Sequence, residues 1–377
     1  MRSTTGIQIL GFDHVRAFAA LLVFMWHFSH PPFGTVAFGY VPDVFLLSIF
    51  NEGHTGVALF MTLSGFIFSY LSFGKDIQLG QFYKNRFLRV FPLLFVWCLY
   101  GIAFQGYSIT QVAPSLFTLL DNKIPAGGWT VIVEAQFYLL FPFVHPFIEK
   151  KYRERGLAGV ASYVAPFLVL SWFVRWGTLI QTGSAQMIAY WTIFGRIDQF
   201  LMGVFFFYLY QRLLVGWSAK RSGVWLVVVL TTLLLFYRWF NIKGGWNNYG
   251  GYPSPARIWI AMPTIEGICY GALIALYLGV ARNFQGRIAR LISYVGTISY
   301  SIYLANFFVI PLLERLHSKI PLTGSSGFEE YFLWGLVIGF PLICCFAALT
   351  HYFIERPFLE QRRQYISPAE TEGTPKV

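Results

Sequence analysis

Four residues of the first apolar run combine acid, guanidinium and imidazole chemistry: Asp13, Arg16, His27 and His30. On an α-helix each residue turns about 100°, so the eleven steps from Arg16 to His27 end roughly 20° past three full turns. Asp13 lies about 60° to one side of Arg16 and His30 about 40° to the other, so all four share a face. His14 points nearly opposite. At ~1.5 Å per residue, Arg16 and His27 stand ~16 Å apart along that face. An imidazole beside a carboxylate handles protons, and a guanidinium holds an anion. The spacing equally suits two helix-end side chains, Arg16 snorkelling to one surface and His27 to the other.

A second group is basic: Lys84, Arg86 and Arg89 in Tyr83-Lys84-Asn85-Arg86-Phe87-Leu88-Arg89. Arg86 and Arg89 are three residues apart and share a helix face. Their planar forks suit phosphate, whether of a ligand or of lipid headgroups. A third group is Glu134 in Trp129-Thr130-Val131-Ile132-Val133-Glu134-Ala135-Gln136-Phe137-Tyr138. It should lie at the depth of His27, as orienter for a general base or as one half of a buried structural pair. Arg196, Asp198 and Glu266 also interrupt apolar runs and are expected in a packing network or along a substrate path.

The elements that position these groups follow from composition. The chain has 377 residues, 56% hydrophobic and 12% charged, where a soluble domain carries about 25% charged. Its mean hydropathy is +0.56. That excludes a disordered chain, a nucleic-acid-binding tail and an ordinary cytosolic enzyme. The fold expected is an all-α, polytopic transmembrane bundle.

Runs of roughly 17–25 apolar residues mark spanning helices. Ten are read, at 12–30, 54–73, 86–106, 129–148, 157–177, 191–212, 223–240, 258–280, 290–312 and 329–352. With the N-terminus inside, 19 of the 28 Lys and Arg fall in inner segments, six in outer loops and three within spans. Cytoplasmic loops collect Lys and Arg, so both termini are expected in the cytoplasm. The net charge of +11 then sets topology rather than nucleic-acid binding. Cys98, Cys269, Cys344 and Cys345 lie in apolar runs without metal-ligand spacing. No inverted repeat and no cleavable signal peptide is read. The expected organisation is a transmembrane domain over 1–366 and a disordered polar tail over 367–377.

These residues resemble a known family. Phe12-Asp13-His14-Val15-Arg16 with His27 is similar to the opening Arg-x10-His motif of the acyltransferase-3 family of integral membrane acyltransferases. Gly56-Val57-Ala58-Leu59-Phe60-Met61-Thr62-Leu63-Ser64-Gly65-Phe66 resembles its second-helix signature, and Arg86-x-x-Arg89 its basic motif. Trp129 to Tyr138 resembles its Val-Glu-Glu-Gln-Phe-Tyr run, with Ala135 replacing the second glutamate. Ile298-Ser299-Tyr300-Ser301-Ile302-Tyr303-Leu304 and Ile354-Glu355-Arg356-Pro357 resemble its late landmarks, with Asn306 where a histidine is frequent.

The resemblance implies transfer of an acyl group, usually acetyl from acetyl-CoA, to a hydroxyl of a cell-surface polysaccharide or lipid-linked sugar in the bacterial inner membrane. His27, Glu134 and Asp13 become the catalytic candidates, with His27 as general base. Arg16, Arg86, Arg89 and Lys84 would hold the acyl-CoA donor, its pantetheine arm spanning the ~16 Å between Arg16 and His27. Arg196, Asp198, Ser64 and Tyr300 become candidate substrate contacts. No metal and no nucleic acid is expected among the partners, and nothing specifies an oligomeric state. Some members carry a fused hydrolase-like domain that does not follow here, so transfer would be completed alone or with a separate protein. A macrolide-type acceptor is the alternative, and a small-anion transporter the alternative of another class. Trp129, Trp246 and Tyr249 suit stacking on sugars or an interfacial aromatic belt.

Overall fold

The computed structural model describes residues 9–30, 42, 44–119, 123–125, 127–247, 251–323 and 328–368. The long helices are α1 (Leu10–Ser29), α2 (Gly56–Ser72), α3 (Leu79–Phe104), α4 (Trp129–Thr182) and α5 (Ile193–Leu209). They continue as α6 (Ala219–Ile242), α7 (Ile258–Ala281), α8 (Arg287–Thr297), α9 (Ser299–His317) and α10 (Phe328–Leu359). A strand β1 (Lys75–Ile77) pairs antiparallel with β2 (Ile366–Pro368), Asp76 opposite Ser367. Ser367 and Pro368, expected in the tail, therefore belong to an ordered pair; 369–377 and Tyr249 lie outside the described residues.

Seven helices are long and apolar enough to cross a membrane, or eight if α8 and α9, bent by 62°, form one span. The expected count of ten differs for identifiable reasons. Asp13, His14, Arg16 and His27 lower the apolarity of α1, although its twenty residues are long enough. The fourth and fifth runs merge into α4, whose 54 residues are broken by Gly156 at φ 60°, ψ −142°. Left-handed backbone costs glycine little. The charged linker from Lys150 to Arg155 stays helical because Lys, Arg and Glu are good helix formers.

The first helix is the buried centre of the bundle. It packs against α2, α7, α8 and α9, and it ends at Ser29, with the non-helical His30 preceding Pro31, where a following proline disfavours helix. Small residues let neighbouring backbones approach closely, as membrane helices require. A methyl on Gly65 would stand 2.0 Å from the Phe200 carbonyl, and one on Gly203 2.0 Å from that of Thr62, so α2 and α5 are locked reciprocally. Gly296 of α8 does the same for α1, 1.8 Å from the Asp13 carbonyl oxygen.

Candidate functional site

A cavity opens among α1, α2, α3, α4 and α9. Its polar lining includes Arg16, Arg86, Arg89, Ser64, Glu134 and Tyr300, brought from five helices. The helical faces explain the convergence. Arg86 and Arg89 share one side of α3 as their spacing requires, whereas Lys84 stands exposed on another. Lys84 is not brought to the site.

Each cavity arginine is held differently. Asp13 receives a hydrogen bond from Arg16 at 2.9 Å and another from Ser293 at 2.9 Å. Asp13 thereby positions Arg16. Arg89 pairs with Glu355 at 3.2 Å and lies 5.8 Å from the centre of the Tyr300 ring, whose hydroxyl donates to the Val90 carbonyl at 2.7 Å. Arg86 has no carboxylate beside it among the described residues. Its guanidinium sits among Phe68, Phe82, Tyr365 and Tyr138, 4.9 to 5.8 Å from the ring centres, and its buried Nε has no hydrogen-bond partner. A cation stacked on rings with a buried N–H left open has the chemistry to pair with an anion.

A fourth guanidinium lies within electrostatic reach of these three without lining the cavity, and sequence reasoning placed it among the topology charges. Arg362 follows α10 on the segment that ends in β2. Burial first, then Arg89, Arg86 and Arg16, push its pKa down to about 9. The available signal was weak: Arg362 lies seven residues after Glu355, which itself binds Arg89.

The carboxylate of Glu134 accepts from Ser64 Oγ at 2.8 Å and also bonds Tyr138. It does not hold His27, as depth alone had led us to expect. His27 packs edge-on against Phe307, with ring centres 5.0 Å apart. Phe307 stands one turn beyond the lining residue Tyr303 on α9. The imidazole therefore lies past the end of the cavity remote from the arginines. Ser64→Ala is expected to cost about 1 kcal/mol by taking a donor from Glu134, read as a lower midpoint of thermal unfolding in detergent. An unchanged midpoint would show that the Ser64–Glu134 bond contributes nothing to stability.

A carboxylate-held imidazole does exist, but at a pair the sequence did not single out. His54 Nε2 lies 3.0 Å from Glu52 Oε2, each side chain 2% exposed. Trp26 and Trp246 stand edge-on to the His54 ring at 5.0 and 4.6 Å between centres. Its signal was its place two residues before the Gly56 run.

The remaining candidates are internal partners. Asp198 is sealed in an ion pair with Arg175 at 2.6 Å, both side chains fully buried, and also binds Thr264. Arg175 is thus a core residue. Arg196 donates to the Tyr190 carbonyl at 2.8 Å and to Gln199 at 3.2 Å, lies 3.8 Å from Glu266, and covers the Tyr190 ring. Neither Arg196 nor Asp198 lines the cavity, whereas Ser64 and Tyr300 do. His14 turns away to Tyr277 and the Ala289 carbonyl, as its helical phase requires.

This arrangement can be set beside known proteins. The family model described as "Acyltransferase domain" matches residues 9–352. The chain belongs to the acyltransferase-3 family. It is 22% identical over 401 aligned positions to YrhL of Bacillus subtilis (strain 168), named "Putative peptidoglycan O-acetyltransferase", covering 94% of this chain and 55% of that one. It is 27% identical over 168 positions to Acyltransferase MdmB of Streptomyces mycarofaciens, covering 38% of this chain and 41% of the relative. The chain thus spans about half the length of these curated relatives, or less. No solved structure matches it.

Proposed function

We propose that the protein is a membrane O-acyltransferase that moves an acetyl or similar acyl group from acyl-CoA to a hydroxyl of a saccharide acceptor. Family membership and the relatives' names support the reaction class. The observation that carries the donor is the convergence of Arg16, Arg86 and Arg89 on one cavity, with Arg86 unmatched by a carboxylate. Phosphates bind such forks as charge-assisted pairs. From there the pantetheine arm would run past Ser64 and Glu134 toward Tyr303, bringing the thioester near Phe307 and His27. His27 would take the proton of the acceptor hydroxyl as that oxygen attacks the acyl carbon, and the departing thiolate would recover a proton. The acceptor class follows the peptidoglycan named for YrhL: a cell-surface polysaccharide or a lipid-linked sugar. The apolar helices support a multi-pass membrane protein, and the reading sets it in the bacterial inner membrane, with its donor taken from the cytosol.

The test is free-thiol release from acetyl-CoA by the purified protein, with and without a glycolipid extract. Release should rise with extract and fall by about 10²–10⁴-fold in a folded His27→Ala variant, the usual contribution of a general base. Equal release by both proteins would remove His27 from the chemistry. Release by neither would remove acyl-CoA as donor.

A further inference from the structure

We propose that Asn306, on α9, is the oxyanion donor of the acyl-transfer step: its side-chain N–H hydrogen-bonds the thioester carbonyl oxygen as that oxygen takes on negative charge. The inference rests on the acyl-transfer reading above and adds a second residue to the reacting centre beside His27.

The first observation is a buried amide with nothing to bond. Asn306 is 0% exposed, and neither its Oδ1 nor its Nδ2 has a hydrogen-bond partner among the described residues. Protein interiors pair nearly all of their polar groups, because an open one forfeits its bonds to water and gains none. A carboxamide offers two N–H donors and one acceptor oxygen. Here all of them are idle, so the amide is free to meet a ligand atom without breaking a bond to the protein.

Helical position indicates which atom that is. Asn306 follows Ser299 by seven residues and stands within about 20° of it around α9. Ser299 and Tyr303 both line the arginine cavity. At ~1.5 Å per residue, Asn306 lies ~4.5 Å beyond Tyr303, towards the end of the cavity where His27 stands. The residue after it, Phe307, is the one whose ring meets His27 at 5.0 Å between centres. The first helix agrees from its own side. Ala20 and Phe24 lie about 20° and 60° from His27 around α1, and both pack in one buried cluster with Ile302 and Ala305 of α9. The face of α1 that carries His27 is therefore the face that meets α9. Asn306 sits on α9 between that packed stripe and the stripe that lines the cavity.

The reaction develops charge at this place. The acceptor oxygen bonds to the acyl carbon and gives its proton to His27, while the π pair of the carbonyl moves onto the carbonyl oxygen. Collapse of the tetrahedral oxyanion re-forms C=O and breaks the C–S bond, and the departing thiolate takes the proton back from His27. A fixed N–H donor in a water-poor site stabilises that oxyanion more than it stabilises the neutral carbonyl, which lowers the barrier.

The experiment pairs kinetics with stability in the full-length purified protein, with acetyl-CoA as donor and the glycolipid extract as acceptor. Asn306→Leu keeps the shape and removes both polar atoms. It should lower kcat for thiol release by about 10²–10³-fold, the effect of one oxyanion donor. Acetyl-CoA should bind it as tightly as wild type, because the lost bond is made in the transition state. Its midpoint of thermal unfolding should be unchanged or higher, since an unpaired amide has left the interior. Asn306→Ala covers the case in which the leucine variant does not fold, and should lose kcat to the same extent. Wild-type turnover in either folded variant would overturn the assignment. So would a lower midpoint in both variants, which marks a structural amide, or a loss of turnover matched by weaker acetyl-CoA binding, which marks a donor contact only. Wild type that releases no thiol from acetyl-CoA would overturn the acyl-transfer reading and this inference with it, whereas active wild type beside an equally active Asn306→Leu overturns this inference alone.

Discussion

Arg86→Ala is expected to raise the dissociation constant for acetyl-CoA by about 10- to 100-fold, the equivalent of ~1.5–3 kcal/mol of charge-assisted hydrogen bonding. The size follows from what surrounds Arg86. Its guanidinium is stacked among four aromatic rings, and its buried Nε has no partner among the described residues. Removing Arg16 or Arg89 would also strand Asp13 or Glu355, so those variants mix binding with folding. Arg86 carries no such complication. Arg86→Lys should recover little, because an ammonium keeps the charge but loses the planar stacking and the fork. Calorimetric titration of the purified protein measures the effect directly. Unchanged affinity in Arg86→Ala would remove phosphate binding from this cavity and with it the proposed donor path.

Arg175→Met is expected to destabilise the protein by about 3–5 kcal/mol, since it leaves Asp198 charged and buried without its counter-ion. Arg175 also donates to the Gly195 carbonyl at 3.0 Å, so the pair ties the second half of α4 to the start of α5. Replacing both partners, as Arg175→Met with Asp198→Leu, should restore much of the loss, because a well-packed apolar pair avoids the desolvation penalty. Unfolding of the three variants in detergent, followed by tryptophan fluorescence, gives the comparison. The donor affinity of the folded double variant should match wild type. A clear loss of affinity would return Asp198 to the substrate contacts, where the sequence had placed it.

The sequence carried the fold class and one helix face of the site. A 12% charged composition leaves little choice but a membrane bundle. Helical phase correctly turned His14 away from Arg16, and the three-residue step put Arg86 and Arg89 together. Depth was legible too, since residues per turn and rise convert position into height. Rotation of one helix against its neighbours was not. Glu134 and His27 were matched by height, yet the rotation of α4 gives Glu134 to Ser64. Asp198 and Arg175 lie 23 residues apart on either side of a helix break, and each alone reads as a loop charge or a site charge. Arg362 was hidden for a related reason. A basic residue after the last span reads as a topology signal, and only the bonds between Asn85 and the backbone of the next residue, Arg363, show that its segment returns to α3.

By itself, then, the amino-acid order determined what each helix could present: apolar length, the face on which acids and bases line up, and the family whose landmarks they follow. Those properties are local, set by 3.6 residues per turn and by the cost of charge in lipid. The tertiary structure decided which presented groups meet. Close approaches at Gly65, Gly203 and Gly296 fix the rotation and spacing of neighbouring helices. That rotation gathers three arginines on one cavity, gives Glu134 to Ser64, and closes Asp198 on Arg175. Contacts between distant segments depend on packing at every helix seam at once, and no local pattern in the chain encodes them.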